Sequence, residues 1–244
     1  MRDEVLTKFG ESLRGTFIGR DHPDYEDARK LYNGMIDKRP LMIARCADAA
    51  DVITAVNFGR DNELLIAIRG GGHNGPGLGS CDDGLVIDLS MMKGVRVDPV
   101  NRTVRVGPGC TQGDVDHATH LFGLAVPAGI VSTTGIAGLA LGGGTGYLTR
   151  KYGLTIDSLI EADVVLADGS FVTASKTENP DLLWGLRGGG GNFGVVTSFL
   201  FQAHPVSMVY AGPIFWDQKH ARVSCSDIVI SCRARQRSSV RSWA

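Results

Sequence analysis

The 244-residue sequence has almost no net charge: 25 Lys and Arg stand against 26 Asp and Glu, a formal −1. That argues against an electrostatic nucleic-acid binder, which needs a basic face. There is no run of 18 apolar residues, so no membrane-crossing helix is expected. The opening MRDEVLTKFGESLRG is too polar for a secretory signal. The five cysteines, Cys46, Cys81, Cys110, Cys225 and Cys232, are odd in number and lack CxxC spacing. Neither a disulfide framework nor a zinc site is indicated, and cytoplasm is the default compartment. No GK dipeptide exists, which excludes a P-loop, and no GxSxG elbow, which removes the serine-hydrolase reading.

Glycine, by contrast, is abundant, with 33 residues or about twice the usual ~7%. No collagen period or low-complexity run accounts for it. With 43% hydrophobic and 21% charged residues the chain can bury a real core. The glycines therefore sit inside a fold, where they mark positive φ or close approach of backbone to another group.

Residues 1–38 read as a polar N-terminal segment in which only GTFIGR and a short tyrosine-bearing stretch show pattern. From Pro40, LMIARC reads as a strand and Asp48 to Asp61 as a helix with Val52, Ile53 and Val56 on one face. LLIAI, Leu64 to Ile68, reads as a strand buried on both faces, and GLVIDLS as another. GVRVDPVNRTVRVGPG alternates about a turn at Asp98 to Asn101, a hairpin. A helix follows over Thr111 to Phe122, then a second hairpin in LIEADVVLADGSFVTAS, turning at Asp168-Gly169. Asn179 and Pro180 are placed as N-cap and first residue of a helix in LLWGLR.

Glycine falls into three clusters, RGGGHNGPGLGS, VPAGIVSTTGIAGLALGGGTG and RGGGGNFG. Two contain GxGxxG, at Gly70-Gly72-Gly75 and Gly189-Gly191-Gly194. Neither fits a dinucleotide fingerprint, because the first opens no helix and the second runs from helix to strand. Three loops with free backbone amides suit a large phosphate-bearing cofactor. His73 lies within the first loop, away from any apolar face, so core packing does not explain it. His117 and His120, three apart, lack a third metal ligand and read as a solvated helix face, and Asp82-Asp83 reads as a turn.

The strings IRGGGHN, GLVIDLS, PAGIVSTTGIAGLALGGGTGYLTRKYGLTIDSL, ADVVLADG and ENPDLLWGLRGGGGNFGVVTSF occur in that order from about Pro40 to Pro205. Together they resemble the FAD-binding domain of the vanillyl-alcohol oxidase/p-cresol methylhydroxylase superfamily, and within it the berberine-bridge-enzyme-like FAD-linked oxidases. The resemblance implies an α+β, two-lobed PCMH-type FAD-binding domain over residues 39–206, with lobes of about 39–93 and 94–206. It places the FAD pyrophosphate on Arg69, Gly70, Gly71, Gly72, His73 and Asn74, with Asp88 and Ser90 nearby. His73 is implied as the covalent attachment to the flavin 8α-methyl. Gly129, Thr134, Gly135, Gly138, Gly142, Gly143, Gly144, Gly146 and Asp157 are implied as cofactor-binding in the second cluster. Gly191, Asn192, Phe193 and Val196 are implied in the third.

Many relatives carry a second, cysteinyl link in an Ala-Gly-x-Cys-Pro motif. Here Ala128-Gly129-Ile130-Val131-Ser132 puts Val131 at the cysteine position, so only a histidyl bond is expected. Thr134 matches the position controlling oxygen access. The implied chemistry is hydride transfer from a small organic substrate to FAD, with reoxidation by O2 and no metal.

The resemblance also implies a substrate domain, carrying the catalytic base, of which residues 207–221 would be the truncated start. An alternative is a non-catalytic flavin-binding subunit or remnant whose substrate site comes from a partner chain. Residues 222–244 contain five Arg, six Ser and no Gly, Pro, Lys or Glu. That shift reads as a tail foreign to the fold and unstructured, an out-of-register translation that resequencing the coding DNA would test.

Overall fold

The computed structural model describes residues 3–209 and 217. The first lobe is a four-stranded sheet in the order β1 (Thr16–Gly19), β2 (Met42–Arg45), β4 (Leu85–Asp88), β3 (Ile66–Arg69). β2, β4 and β3 run parallel, and β1 pairs antiparallel with β2. Two helices precede β2: α1 (Asp3–Ser12) and the short α2 (Tyr25–Ala28). The crossover from β2 to β3 is α3 (Ala49–Asp61), opened by Asp48, whose side chain accepts from Asp51 N at 3.1 Å. Val52, Ala55 and Val56 repeat at helical spacing and are buried against the sheet.

Two sequence expectations change here. Residues 1–38 are not a segment apart, because β1 is a strand of the first sheet and Phe9, Leu13, Ile18 and Tyr25 are buried. Buried Asp51 ties this region down by accepting from the backbone N–H groups of Arg14, Gly15 and Ala47 at 2.8–2.9 Å. β3 is not buried on both faces. It lies at the sheet edge with β4 as its single neighbour, and Leu65 just before it is 65% exposed. The central place falls to β4, all four residues of which are buried.

The second lobe is an antiparallel sheet, ordered β5 (Val95–Asp98), β6 (Thr103–Val106), β10 (Val195–Gln202), β8 (Leu159–Val165), β9 (Phe171–Ser175). Both expected hairpins form. Gly169 takes φ of 83° in the second, where Leu166 N donates to Ser170 O. Alternation sorts the faces: Val104, Val106, Ala162, Val164, Phe199 and Phe201 enter the core. Burying each such phenylalanine is worth about 1.5–3 kcal/mol. On the opposite face Arg105 bonds Glu161 at 2.6 Å, Ser198 at 2.9 Å and Asp163 at 3.2 Å.

The lobe is completed by α4 (Gln112–His120), α5 (Ile136–Leu141), α6 (Thr149–Tyr152), α7 (Pro180–Leu186) and a separate two-stranded pair of β7 (Leu124–Ala125) with β11 (His204–Pro205). α4 begins with a capping box, Thr111 and Asp114 each bonding the other's backbone N–H. The lobes share a core, since Val165 of β8 and Val195 of β10 pack with Val52, Val56 and Leu85. Arg60 of α3 also donates to Asp168 O in the β8–β9 turn at 2.6 Å.

Among the described residues no helix is long and apolar enough to cross a membrane, and no His/Cys/Asp/Glu group could hold a metal. Cys46, Cys81 and Cys110 are buried and free, and burial pushes each thiol pKa up. The tail 222–244 and all of 207–221 except 207–209 and 217 lie outside the described residues.

Candidate functional site

The first glycine loop leaves the end of β3, where Arg69 pairs in register with Asp88 of β4. Both side chains are buried, at 7% and 1% exposure, and bond each other at 2.8 Å. Arg69 also donates to Ala28 O, and Arg45 of β2 donates to the same carboxylate at 3.1 Å. Burial alone would raise the Asp88 pKa, but Arg69 and further hydrogen bonds outweigh it and hold the carboxyl below its usual value. Arg69 and Asp88, expected at the cofactor, are thus turned inward by charge pairing, and they pin the strand ends from which the loop springs. Ser90, half-buried, donates its N–H to Asp88 Oδ1 at 3.0 Å.

Among the described residues, the amide N–H groups of Gly70 to Asn74 donate to no protein acceptor. Several carbonyls of the loop and of the turn that follows it, in contrast, are engaged. Tyr32 N donates to Gly72 O at 3.1 Å and Asn33 Nδ2 to Gly75 O at 2.9 Å. Lys38 Nζ donates to Gly77 O and Ser80 O, both at 2.9 Å. Gly72 has φ of 69°, which lets successive amides turn toward one side. Unbonded amides beside a positive-φ glycine are the local chemistry that an anion-binding concavity uses. Asn74 shapes the following turn, its Oδ1 accepting from Leu78 N.

The second loop meets the first at backbone contact. A Cβ on Gly71 would lie 2.6 Å from Gly135 Cα, and one on Gly135 would lie 2.7 Å from Gly71 Cα. Gly135 is held by a bridge to Thr111 and opens α5. This approach sets His73 between Thr133 and Thr134, whose Oγ1 atoms stand 3.2 Å from Nε2 and 3.4 Å from Nδ1. Tyr32 stacks on the imidazole with centroids 3.9 Å apart and planes 17° from parallel. Both histidine nitrogens and one ring face are therefore fixed.

Beyond Gly135, α5 presents Gly138 and then Gly142 to solvent, and nothing lies within 4 Å of a Cβ built on Gly138. Other glycines of the cluster answer to the protein itself. A Cβ would lie 2.9 Å from Gln112 Nε2 at Gly129, 2.7 Å from Thr155 Cβ at Gly144 and 2.9 Å from Ala128 C at Gly146. Gly143 is buried and accepts from Ile156 N at 3.0 Å. Asp157 is an exposed turn-former accepting from Leu154 N at 2.8 Å.

The third cluster is tied to the second by Gly188 N donating to Leu141 O. Its 3-10 turn, Gly190–Phe193, leaves a Cβ on Gly191 in open space. Asn192 Nδ2 bonds Gly189 O at 2.7 Å, and the Phe193 ring lies over Gly185 and Gly189. The Val196 side chain is 3% exposed and belongs to the core, so that residue can offer a ligand its backbone alone. Open grooves of about 470 and 500 Å³ lie elsewhere, along Met91–Arg96 with Arg105–Pro108 and along Leu6, Gly10 and Phe17; neither includes a glycine-cluster residue.

Tyr32 and Thr133 were missed by sequence reasoning. The one available signal for Tyr32 was an aromatic residue stranded in a polar segment, 67% exposed in the fold.

Free amides on a glycine loop, a second loop packed against it and an oriented imidazole between them fit a two-lobed FAD-binding domain of the PCMH type. A family model described as an FAD binding domain matches residues 40–175. An FAD-linked oxidoreductase of Dictyostelium discoideum is 40% identical over 210 residues, 86% of this chain and 46% of that protein. The solved 6-hydroxy-D-nicotine oxidase of Arthrobacter nicotinovorans superposes with a TM-score of 0.78 at 39% identity, covering 80% of this chain and 43% of that one. Glucooligosaccharide oxidase of Acremonium strictum, whose structure concerns a 6-S-cysteinyl, 8α-N1-histidyl FAD, gives 0.76 at 35%, covering 82% and 42%. The chain belongs to the FAD-binding domain family. It spans about half the length of the relatives it matches.

Proposed function

We propose that this chain is the FAD-holding half of an oxidase, with FAD attached to His73 alone. The observation that carries the reading is the imidazole itself, fixed by Thr133, Thr134 and Tyr32 at the edge of the amide-rich loop. The amides of Gly70 to Asn74 would hold the pyrophosphate, and the bare face of α5 at Gly138 and Gly142 leaves room for the group's flat portion. Bound there, FAD supplies two-electron chemistry, taking hydride from a small organic substrate and passing the electrons to O2. Attachment forms a bond from imidazole nitrogen to the methyl carbon while one N–H and one C–H bond break. The electron pair and two protons released go to the flavin and then to O2.

Val131, 42% exposed, offers no thiol for a second bond. Thr134 places a small β-branched side chain beside His73, compatible with oxygen reaching the ring. On this reading the substrate pocket and the base come from protein beyond these lobes, in the same or a partner chain.

The test is acid precipitation of the purified chain loaded with FAD, followed by a visible spectrum and peptide mapping. Yellow colour near ~450 nm should stay in the pellet and map to the peptide holding His73. Colour lost to the supernatant, or a flavopeptide from the second loop, would sink the reading.

A further inference from the structure

We infer that Tyr32 is a positioning residue for flavin attachment, setting the plane of the His73 imidazole; this rests on the reading that His73 carries the flavin. A histidine on a glycine-rich loop has little backbone restraint, and its ring would otherwise sample several rotamers. Thr133 and Thr134 contact the two ring nitrogens at 3.2 and 3.4 Å, at the long end for hydrogen bonds, and so hold the ring only weakly. The near-parallel stack with Tyr32 adds the restraint those contacts lack and closes one ring face, so the plane in which the ring nitrogens present their lone pairs is set by Tyr32.

Tyr32 is itself anchored to the loop it organises. Its backbone N–H is bonded to Gly72 O on one side of His73, and its neighbour Asn33 is bonded to Gly75 O on the other. The ring is two-thirds exposed, so its loss opens no core cavity and a truncated variant should fold. Its removal should therefore act on the rate of bond formation rather than on the protein as a whole.

The full chain, prepared without flavin, is incubated with FAD as wild type, Tyr32→Phe and Tyr32→Ala. Total bound flavin and acid-stable flavin are followed with time. Tyr32→Ala should bind FAD like wild type but attach it at least about tenfold more slowly, the scale expected for a misaligned reacting group. Tyr32→Phe keeps the ring and should restore the rate to within about threefold. Equal rates in all three proteins, or loss of FAD binding in Tyr32→Ala, would overturn the inference. If the wild type forms no acid-stable flavin, the attachment reading fails by itself. The His73 ring-proton resonances then decide on Tyr32: a ring-current shift present in wild type and Tyr32→Phe but absent in Tyr32→Ala supports it, and identical shifts reject it.

Discussion

The two glycines Gly71 and Gly138 should respond to alanine in opposite ways. At Gly71 the new Cβ would sit 2.6 Å from Gly135 Cα, against backbone that cannot swing aside as a side chain can. Overpacking of this kind costs about 1–3 kcal/mol. At 2–4 °C per kcal/mol for a chain of this size, Gly71→Ala should lower Tm by about 2–12 °C. Gly138 lies within α5, with open space where its Cβ would be. Alanine there removes backbone freedom from the unfolded chain and favours helix by about 0.5–1 kcal/mol. The flavin-free chain should gain about 1–4 °C. With FAD the outcome reverses, because the added methyl enters the face assigned to the cofactor: Gly138→Ala should bind FAD more weakly by about tenfold or more, roughly 1.4 kcal/mol. Differential scanning fluorimetry with and without FAD, together with a fluorescence titration, reads both effects. A Gly138→Ala chain that is more stable and binds FAD as well as wild type would refute the placement of FAD on α5. A neutral Gly71→Ala would refute the backbone contact between the loops.

Replacing Asp88 by Ala strands the buried guanidinium of Arg69 and should cost about 3–5 kcal/mol in urea unfolding. The pH dependence has a fixed sign. Because the folded pKa of Asp88 is depressed, its contribution is complete above the ordinary carboxylate value near ~4 and is lost as pH falls through the folded value. Asp88→Asn should flatten that acid limb of the urea midpoint. Thr111→Ala removes one half of the capping box and should cost about 1 kcal/mol by the same measurement. His73→Ala should convert retained flavin into exchangeable flavin. At a hundredfold excess over Kd, FAD should still stabilise this variant by about 2.7 kcal/mol, and the gain should vanish on gel filtration while that of wild type persists.

What could be read from sequence was what is local. Both hairpins, α3 and α4 announce themselves through alternation, helical spacing and a capping residue, all within a dozen neighbouring positions. α5 could not be read, because six residues of small and apolar type between glycines carry no helical stripe. The apolar run before the first loop looked like a central strand, but rank in a sheet depends on pairing order, and β4 inserted between β2 and β3. Asn179 does stand at the start of α7, yet its backbone is left-handed at φ 48° and its side chain bonds Thr173 O instead of capping. At the site, His73 was legible because its setting excluded a core role. The partnership of Arg69 with Asp88 was not, since it follows from strand register. Tyr32 was invisible for a related reason: its partner lies 41 residues on, and only the fold brings the two rings together.

The site draws its geometry from both lobes, and the glycines explain how. Gly71 belongs to the loop after β3 and Gly135 to the turn before α5, so each comes from a different sheet system. Two loops carrying side chains at these positions would stand apart by at least the thickness of a methyl group. Thr133 and Thr134 would then retreat from the His73 ring, whose contacts at 3.2 and 3.4 Å already sit near the limit for hydrogen bonding. The glycines there serve less as flexible hinges than as the absence of a spacer. The shared core of α3 with β8 and β10 holds the two lobes at a distance that only bare backbone can close. Orientation of the imidazole is in this sense a property of the lobe junction, and a substitution far from His73 that shifts α3 should disturb attachment before it disturbs folding.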